Sequence, residues 1–159
     1  MFSRPVALAA TFLLTGWTLP ALAQDISTAA TPACVERARS DGADPKLCLA
    51  QVHAPCQSIS AETPALVTLC FDTAREAWTR ATAARLDEIT HDAPEQIGAR
   101  TRIDTKYDLL AGLLQCDRLE ELGHLTEIED DRLLLEKTRC EATATGLAYI
   151  RLLWRVTKD

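Results

Sequence analysis

Apolar residues recur at intervals of three and four through most of the chain, which is the spacing of one face of an α-helix. The pair Thr63-Pro64 places a capping residue before a proline, a favoured start of a helix. We predict a long helix from there to the sequence Asp92-Ala93-Pro94, where a proline ends it. Its expected buried stripe consists of Leu66, Cys70, Ala74, Ala77, Ala81 and Ala84, with Ile89 as a less regular extension.

Two more long helices are predicted towards the C-terminus. The first spans residues 94–122, and Gly123 is suited to the position just past its end. A capping box of Thr126 and Glu129 then starts a helix that runs towards Val156. The apolar side of the first of these helices is marked by Ile103, Tyr107, Leu110, Leu114 and Leu119. The buried stripe of the second includes Leu135, Leu147, Ile150 and Trp154.

Two short helices are predicted in front of the long ones. Each again begins with a capping residue before a proline, with Thr31 and Asp44 as the caps, and the expected ranges are Pro32–Ser40 and Pro45–His53. Pro55 is expected to end the second helix, because a proline has no N–H for a helical hydrogen bond. Strand signals are nearly absent, since no alternating run is bounded by hairpin turns. The chain is therefore predicted to be an all-α bundle of three long and two short helices.

The first two dozen residues have the layout of a secretory signal peptide. Arg4 gives a positive start, a mostly apolar run follows, and the small residues Ala21 and Ala23 form a cleavage site. The apolar run is shorter than the ~20 residues of a membrane-spanning helix. We predict that residues 1–23 are a signal peptide. Residues 24–159 are then expected to form one helical domain in the periplasm or outside the cell, without a membrane anchor.

The exported chain is expected to be acidic. The whole chain has 17 Lys and Arg residues against 23 Asp and Glu residues, which gives a formal charge of −6 at pH 7. Cleavage removes Arg4 and no carboxylate, which leaves a charge of −7. Such a chain repels nucleic acid phosphates and anionic lipid, so neither is expected as a partner. A cationic partner is favoured.

Six cysteines lie after the predicted cleavage site, and in an oxidising compartment they are expected to form disulfides. No Cys-x-x-Cys motif occurs, which argues against a zinc knuckle or a thioredoxin-type redox pair. Six cysteines allow fifteen pairings, and the sequence alone does not choose among them. Pairing in sequence order is favoured because each bridge closes its own small loop. Cys34–Cys48 and Cys56–Cys70 have equal spacing around proline-started helices.

The last two cysteines raise a question of register. With a turn at Gly123–Leu125, Cys116 lies ~10 Å and Cys140 ~22 Å from the turn along their helices. A bridge requires Cα atoms within ~7 Å, so either the connection is longer or the pairing differs, for example Cys70 with Cys116. We favour a longer connection, Leu119–Asp130, because the acidic residues around Asp130 suit a helix N-terminus. Even then, Cys116 and Cys140 are offset along their helices by ~10 Å.

No catalytic or metal-binding arrangement is recognisable. The three histidines fall near predicted helix ends without the spacing of helical metal ligands, and they are His53, His91 and His124. The group His91, Asp92 and Glu95 is interpreted as a polar helix connection, and Trp78 and Trp154 as core residues. Further carboxylates are interpreted as a solvated face: Asp108, Glu120, Glu121 and Asp130. We expect no catalytic residue, no cofactor and no metal site, and therefore not an enzyme.

Three stretches around the cysteines form a recognisable pattern. They are Cys48-Leu-Ala-Gln-Val-His-Ala-Pro-Cys56, then Thr63-Pro-Ala-Leu-Val-Thr-Leu-Cys70 followed by Glu76-Ala-Trp78, and the pair Cys116 and Cys140 with Thr145 five positions on. From about Cys34 to Leu153 this layout resembles the secreted LprI-like lysozyme-inhibitor domain family. The resemblance implies a small helical secreted bacterial protein with a Cys116–Cys140 bridge. Because the family's namesake inhibits lysozyme, it also implies lysozyme as a partner.

The chain departs from that family at several polar positions. Gly112 and Leu113 stand where the family usually has Arg and Asp, and Asp108 stands in place of a Trp. Ala148 occupies the place of an expected Arg. A usual Leu-Asn pair and a Tyr after Trp78 are replaced here by Thr82, Ala83 and Leu86. If those polar residues carry the family function, this chain has changed it.

Three functions are therefore carried as hypotheses. The first is a secreted, non-catalytic protein that inhibits or binds a basic cell-wall hydrolase such as lysozyme, towards which an acidic protein is steered. The alternative is a helical envelope-interaction or immunity-type module with another protein partner. The third is an exported enzyme whose site forms only in three dimensions. The expected partner contact is the acidic cluster Glu127, Glu129, Asp130 and Asp131.

Overall fold

The structure, a computed structural model, describes residues 26–156, which form five α-helices and no strand. The predicted signal peptide and its cleavage site lie outside the described residues. The predicted all-α bundle of three long and two short helices is confirmed. None of these five helices is both long and apolar enough to cross a membrane. The helices are α1 Thr31–Ser40, α2 Leu47–Gln57, α3 Pro64–Asp92, α4 Glu95–Gly123 and α5 Asp130–Val156.

Helix α5 forms the centre of the bundle, because it contacts all four other helices. Trp78 and Phe71 of α3 are completely buried beside it, together with Leu152 of α5 and Val35 of α1. Large apolar side chains of this kind supply most of the free energy of burial. The buried residues of α5 are Leu133, Leu135, Thr138, Ala142, Thr145, Gly146, Ala148, Tyr149, Ile150, Leu152 and Leu153. The remaining members of its predicted stripe are half-buried, and they are Leu147 and Trp154.

Three disulfides join consecutive helices. Cys34–Cys48 links α1 to α2, Cys56–Cys70 links α2 to α3, and Cys116–Cys140 links α4 to α5, with Cα separations of 5.8, 5.5 and 5.6 Å. The predicted pairing in sequence order is confirmed. Closing loops of this length stabilises a fold by about 3 kcal/mol per bridge in the chain-entropy model. Three such bridges also indicate an oxidising, extracytoplasmic compartment.

The register of α4 against α5 resolves the conflict at the third disulfide. Helix α4 continues to Gly123, so the expected connection from residue 119 is wrong, and six residues, 124–129, join the helices. Cys116 lies about 10 Å before the end of α4, and Cys140 about 15 Å after the start of α5. Helix α5 therefore starts about 5 Å beyond the end of α4. Leu133, in the first turn of α5, packs so close to Gly123 that a methyl group there would collide with it.

Thr126 caps the C-terminal end of α4 and does not start α5. Its Oγ1 donates a hydrogen bond to the carbonyl oxygen of Gly123 at 2.7 Å. Helix α5 begins four residues later at Asp130, so the predicted capping box of Thr126 and Glu129 is wrong. The prediction of a helix N-terminus near Asp130 is confirmed, with Asp130 and Asp131 in the first turn. Carboxylates at that position interact favourably with the helix dipole.

Helix α2 passes through the proline that was expected to end it. The helix continues beyond Pro55 to Gln57. Cys56 is completely buried and bonded to Cys70 of α3. Burial of this residue and its covalent link favour one more helical turn, although the ring of Pro55 removes one backbone hydrogen bond. Tertiary contacts therefore override the local signal.

The first turns of the short helices also differ from their predicted form. Asp44 caps a turn that precedes α2, since its carboxylate accepts a hydrogen bond from the Lys46 N–H at 2.9 Å. The helix itself starts later, at Leu47. Thr31 is the first residue of α1, and Ala30 occupies the capping position. The Thr31 hydroxyl is buried and has no hydrogen-bond partner within the described part of the chain.

The buried face of α3 is displaced from its predicted stripe. Leu66 and Ala84 are exposed, whereas Phe71 and Trp78 are completely buried. Two aromatic side chains seven residues apart gain more from burial than the alanines of the predicted stripe, so they determine which face points inward. The buried residues of α3 are Val67, Phe71, Ala74, Ala77, Trp78 and Ile89.

The apolar side predicted for α4 faces away from the bundle. All five residues assigned to it are exposed: Ile103, Tyr107, Leu110, Leu114 and Leu119. The buried residues of α4 are small, and they are Gly98, Thr105, Cys116 and Gly123. Small residues allow close approach, since a Cβ on Gly112 would lie only 2.8 Å from the Cβ of Ala144 in α5. This close approach and the Cys116–Cys140 bridge fix which side of α4 faces inward.

The substitution Gly112→Ala is expected to lower the free energy of unfolding by about 1–2 kcal/mol, although alanine favours helices over glycine by ~1 kcal/mol. The added methyl group would force α4 away from Ala144. Thermal unfolding followed by circular dichroism measures the loss. In the double variant Gly112→Ala/Ala144→Gly the space is restored, so the combined loss should be smaller than the sum of the two single losses. Strictly additive losses would show that the helices are not in close contact here.

Candidate functional site

A groove lies between the first turns of α3 and α5 at one end of the bundle. Helices α3 and α5 run parallel because each is antiparallel to α4, so their N-termini lie at the same end. The groove has a volume of about 490 Å³ and a mainly apolar lining with two carboxylates. We call it the acidic groove. Its lining residues are Pro64, Ala65, Thr68, Leu69, Asp72, Asp131, Leu134 and Thr138.

Two exposed leucines line the acidic groove, one from each of the two helices that form it. Leu69 of α3 is 62% exposed and Leu134 of α5 is 54% exposed. Large apolar side chains that remain exposed side by side are typical of interaction surfaces. Neither leucine was predicted as a site residue. The signal that could have found them is that both fall outside the buried stripes of their helices.

The predicted acidic contact adjoins this groove. Glu127 and Glu129 lie in the α4–α5 connection, Asp130 and Asp131 lie in the first turn of α5, and all four are exposed. Asp131 also lines the acidic groove. None of the four carboxylates forms an ion pair with a residue between 26 and 156. The structure therefore places one of the four predicted contact residues, Asp131, in the lining of an apolar groove, and it gives none of the four carboxylates an ion-pair partner among the described residues.

The other carboxylate of the groove is compensated within the chain. Asp72 accepts a hydrogen bond from Arg75 Nη2 at 2.5 Å, and Arg75 Nε lies 3.7 Å from Glu141 Oε2. The hydrogen bond to Asp72 and the nearby carboxylates raise the pKa of Arg75. The carboxylates without ion-pair partners are therefore those of α5 and its preceding connection, on one side of the groove.

The three histidines do not form a reactive site. His53 is buried, and its Nε2 accepts a hydrogen bond from Trp78 Nε1 at 3.1 Å, while its ring meets Phe71 edge-on at 5.3 Å. Burial lowers the pKa of His53 to about 4, so the ring is neutral at pH 7. His91 and His124 are exposed at the ends of α3 and α4. Within residues 26–156, no group of three His, Cys, Asp or Glu residues is placed to hold a metal ion.

A second, smaller cavity of about 280 Å³ lies where α1, α3 and α5 meet. Its polar lining consists of Glu36, Arg85, Glu88 and Tyr149. Arg85 is occupied by an ion pair with Glu88 at 2.8 Å, and burial raises the pKa of the Tyr149 hydroxyl.

Several positions that depart from the LprI-like pattern lie in or beside the contact between α4 and α5. Asp108 pairs with Arg155 at 2.6 Å and with Arg151 at 3.5 Å, so it is not the simple solvated carboxylate that was expected. Gly112 permits the close approach to Ala144. The buried Ala148 lies one turn further along α5. These residues therefore serve helix packing and not an exposed polar site.

Comparison with known proteins identifies no relative: no protein-family model matches the chain, and no curated protein or solved structure matches it. A functional conclusion therefore depends on the geometry of the acidic groove, the charge of the chain and the resemblance in its cysteine pattern. Among these, the groove is the feature that the structure adds.

The stability of the protein is expected to fall as the pH drops from 6.5 towards 4. Between pH 6.5 and 4, His53 becomes protonated in the unfolded chain, where its pKa is 6.5. In the folded state its pKa is about 4, so the ring stays neutral. The unfolded state therefore binds more protons, and this residue lowers the free energy of unfolding by about 1.4 kcal/mol per pH unit.

Urea unfolding at several pH values measures this slope. The variant His53→Gln removes the titrating group and should show a correspondingly smaller fall between pH 6.5 and 4, whatever its stability at pH 7. His91→Gln is the matched control, because His91 is exposed. If the wild-type protein and His53→Gln lost stability with the same slope, the neutral buried state of His53 would be refuted.

Proposed function

We propose that this chain is exported to the periplasm and that it acts without catalysis, by binding and occluding a basic cell-wall hydrolase such as lysozyme. The contact is the acidic groove together with the acidic cluster Glu127, Glu129, Asp130 and Asp131. The observation that carries the proposal is that Asp131, a carboxylate without an ion-pair partner among the described residues, lines the same groove as the exposed side chains of Leu69 and Leu134.

This arrangement has the composition of a protein-binding surface. An apolar centre supplies affinity when it is buried, while a charged periphery steers the approach of a partner of opposite charge. The charge of −7 expected after signal cleavage acts in the same direction over a longer range. The resemblance to the LprI-like family, whose namesake inhibits lysozyme, points to the same class of partner.

A second candidate keeps this surface and changes the partner. It is a helical envelope-interaction or immunity-type module that binds another protein. The observation that favours it is the use of Asp108, Gly112 and Ala148 at or beside the α4–α5 contact, where the family pattern has Trp and Arg residues. A chain that has changed these positions can retain the fold and bind a different protein.

Export predicts a defined mature product. The protein recovered from the periplasm should begin at Gln24 and have a mass six hydrogens below that of its reduced form, because three disulfides are present. Intact-mass spectrometry measures both properties. A membrane-retained product with Met1, or one with free thiols, would contradict the export proposal.

Lysozyme activity is expected to fall as purified mature protein is added, and the inhibition should weaken when salt rises from about 10 mM to 150 mM, because screening shortens the range of the charges. A variant that neutralises the acidic cluster should inhibit at least tenfold less well at low salt. Its substitutions are Glu127→Gln, Glu129→Gln, Asp130→Asn and Asp131→Asn.

The matched control removes the same number of charges at the opposite end of the bundle. Its substitutions are Asp41→Asn, Asp87→Asn, Asp92→Asn and Glu95→Gln. This control should inhibit nearly as well as the wild-type protein, since only the general attraction is reduced. Full lysozyme activity with a large molar excess of wild-type protein at low salt would remove lysozyme as the partner and leave the second candidate. Equal loss in both variants would refute the acidic groove as the contact.

A further inference from the structure

Helix α4 carries a continuous apolar stripe on the side that faces away from the bundle. Ile103, Tyr107, Leu110 and Leu114 are 55, 64, 41 and 64% exposed. We call these four residues the α4 stripe. Their spacing of four, three and four residues places them on one face of the helix, nearly opposite the face that carries Cys116. Exposure of so many large apolar side chains in a row is typical of a protein interface.

The spacing of the α4 stripe is the same in both directions along the helix. A two-fold axis between Tyr107 and Leu110 would place a second α4 antiparallel to the first. In that arrangement Ile103 of one copy lies opposite Leu114 of the other, and Tyr107 lies opposite Leu110. All four apolar layers are then filled by apolar side chains, which is the requirement for a self-complementary helix pair.

The charges at the two ends of the stripe follow the same symmetry. Arg100 lies one turn before Ile103, and Asp117 lies one turn after Leu114, at the same distance from the two-fold axis. Both side chains are exposed, and their ion pairs within the chain are long, 3.8 Å from Arg100 to Asp104 and 3.6 Å from Lys137 to Asp117. In an antiparallel pair, Arg100 of each copy lies opposite Asp117 of the other. A parallel pair would place like charges together.

We propose that the α4 stripe is the interface of a symmetric homodimer in which two copies of α4 pack antiparallel. The buried apolar layers supply affinity, and the two Arg100–Asp117 contacts select the antiparallel orientation. Such an interface is at the small end of specific protein interfaces, at roughly 1,000 Å² in total. Interfaces of this size typically belong to weak or transient complexes, so we expect the dimer to dissociate at micromolar concentrations.

The dimer is independent of the proposed inhibitor function. The acidic groove is formed by α3 and α5, whereas the dimer uses the outer side of α4. Each dimer therefore carries two uncovered grooves. Once one groove has bound a partner that offers two contact sites, the second groove binds at a raised effective concentration. Loss of lysozyme inhibition would not affect the dimer, and loss of the dimer would leave each groove intact.

The oligomeric state is measured by analytical ultracentrifugation of the mature protein over a range from about 0.1 µM to 1 mM, which extends below and above the expected micromolar constant. The wild-type protein should show a concentration-dependent change from monomer to dimer. Leu114→Glu should raise the dimer dissociation constant by at least tenfold, because it places two charges in the apolar layers. The matched control is Leu47→Glu, which changes an equally exposed leucine of α2, 62% against 64%, and should leave the constant unchanged.

Charge exchange tests the orientation. Arg100→Glu and Asp117→Arg should each weaken the homodimer, since every contact then joins like charges. A mixture of the two variants should form a heterodimer as stable as the wild-type dimer, because Glu at position 100 meets Arg at position 117 and the native pair forms on the other side. In a parallel pair, position 100 faces position 100 and position 117 faces position 117, so neither single variant would weaken the homodimer relative to the wild-type protein, and the mixture would form a dimer more stable than the wild-type one.

Each opposing result overturns the proposal. A monomer throughout the concentration range, or equal constants for Leu114→Glu and Leu47→Glu, would show that the stripe is not a dimer interface. A failure of the mixed variants to recover would refute the antiparallel arrangement. Binding of the monomer to anionic or zwitterionic lipid vesicles, lost in Leu114→Glu, would assign the stripe to a membrane surface in place of a second copy.

Discussion

The contact between α4 and α5, locked by Cys116–Cys140, is the constraint on which most of the structure depends. It fixes both the register of the two helices and the rotation of α4 about its own axis. The register places the first turn of α5 beyond the end of α4 and beside the first turn of α3, where the acidic groove forms. The rotation turns the small residues of α4 inward and its large apolar residues outward. Both candidate surfaces therefore follow from one helix contact.

The limits of the helices could be predicted from the sequence better than their faces. Prolines and capping residues act within a few residues, and they located the ends of α3 closely. Burial depends on which neighbours approach from a distance. In α4 the Cys116–Cys140 bridge and the close approach at Gly112 hold the small residues inward while four large apolar side chains stay exposed, and no local pattern in the sequence shows this. At Pro55 a buried disulfide likewise outweighs a local helix-ending signal.

The candidate site, too, could be predicted only in part from the sequence. The carboxylates of the acidic cluster could be recognised because charge and a helix start are local features of the sequence. Leu69 and Leu134 could not, since their proximity results from the parallel arrangement of two helices that are far apart in sequence. The burial of His53 against Trp78 and Phe71 is a third example, because its partners come from another helix. Features that depend on nearby residues could therefore be predicted, whereas contacts between helices far apart in the sequence could not.

The order of the disulfides has a consequence for how the chain acquires its structure. The first cysteine is bonded to the second, the third to the fourth and the fifth to the sixth, so no bridge encloses another. A chain that emerges from a membrane pore with its N-terminus first presents its thiols in the order in which they must pair. An oxidant that simply joins successive thiols then yields the native bridges without later exchange. If the chain is exported as proposed, its first two bridges can therefore form while its C-terminal helices are still being delivered.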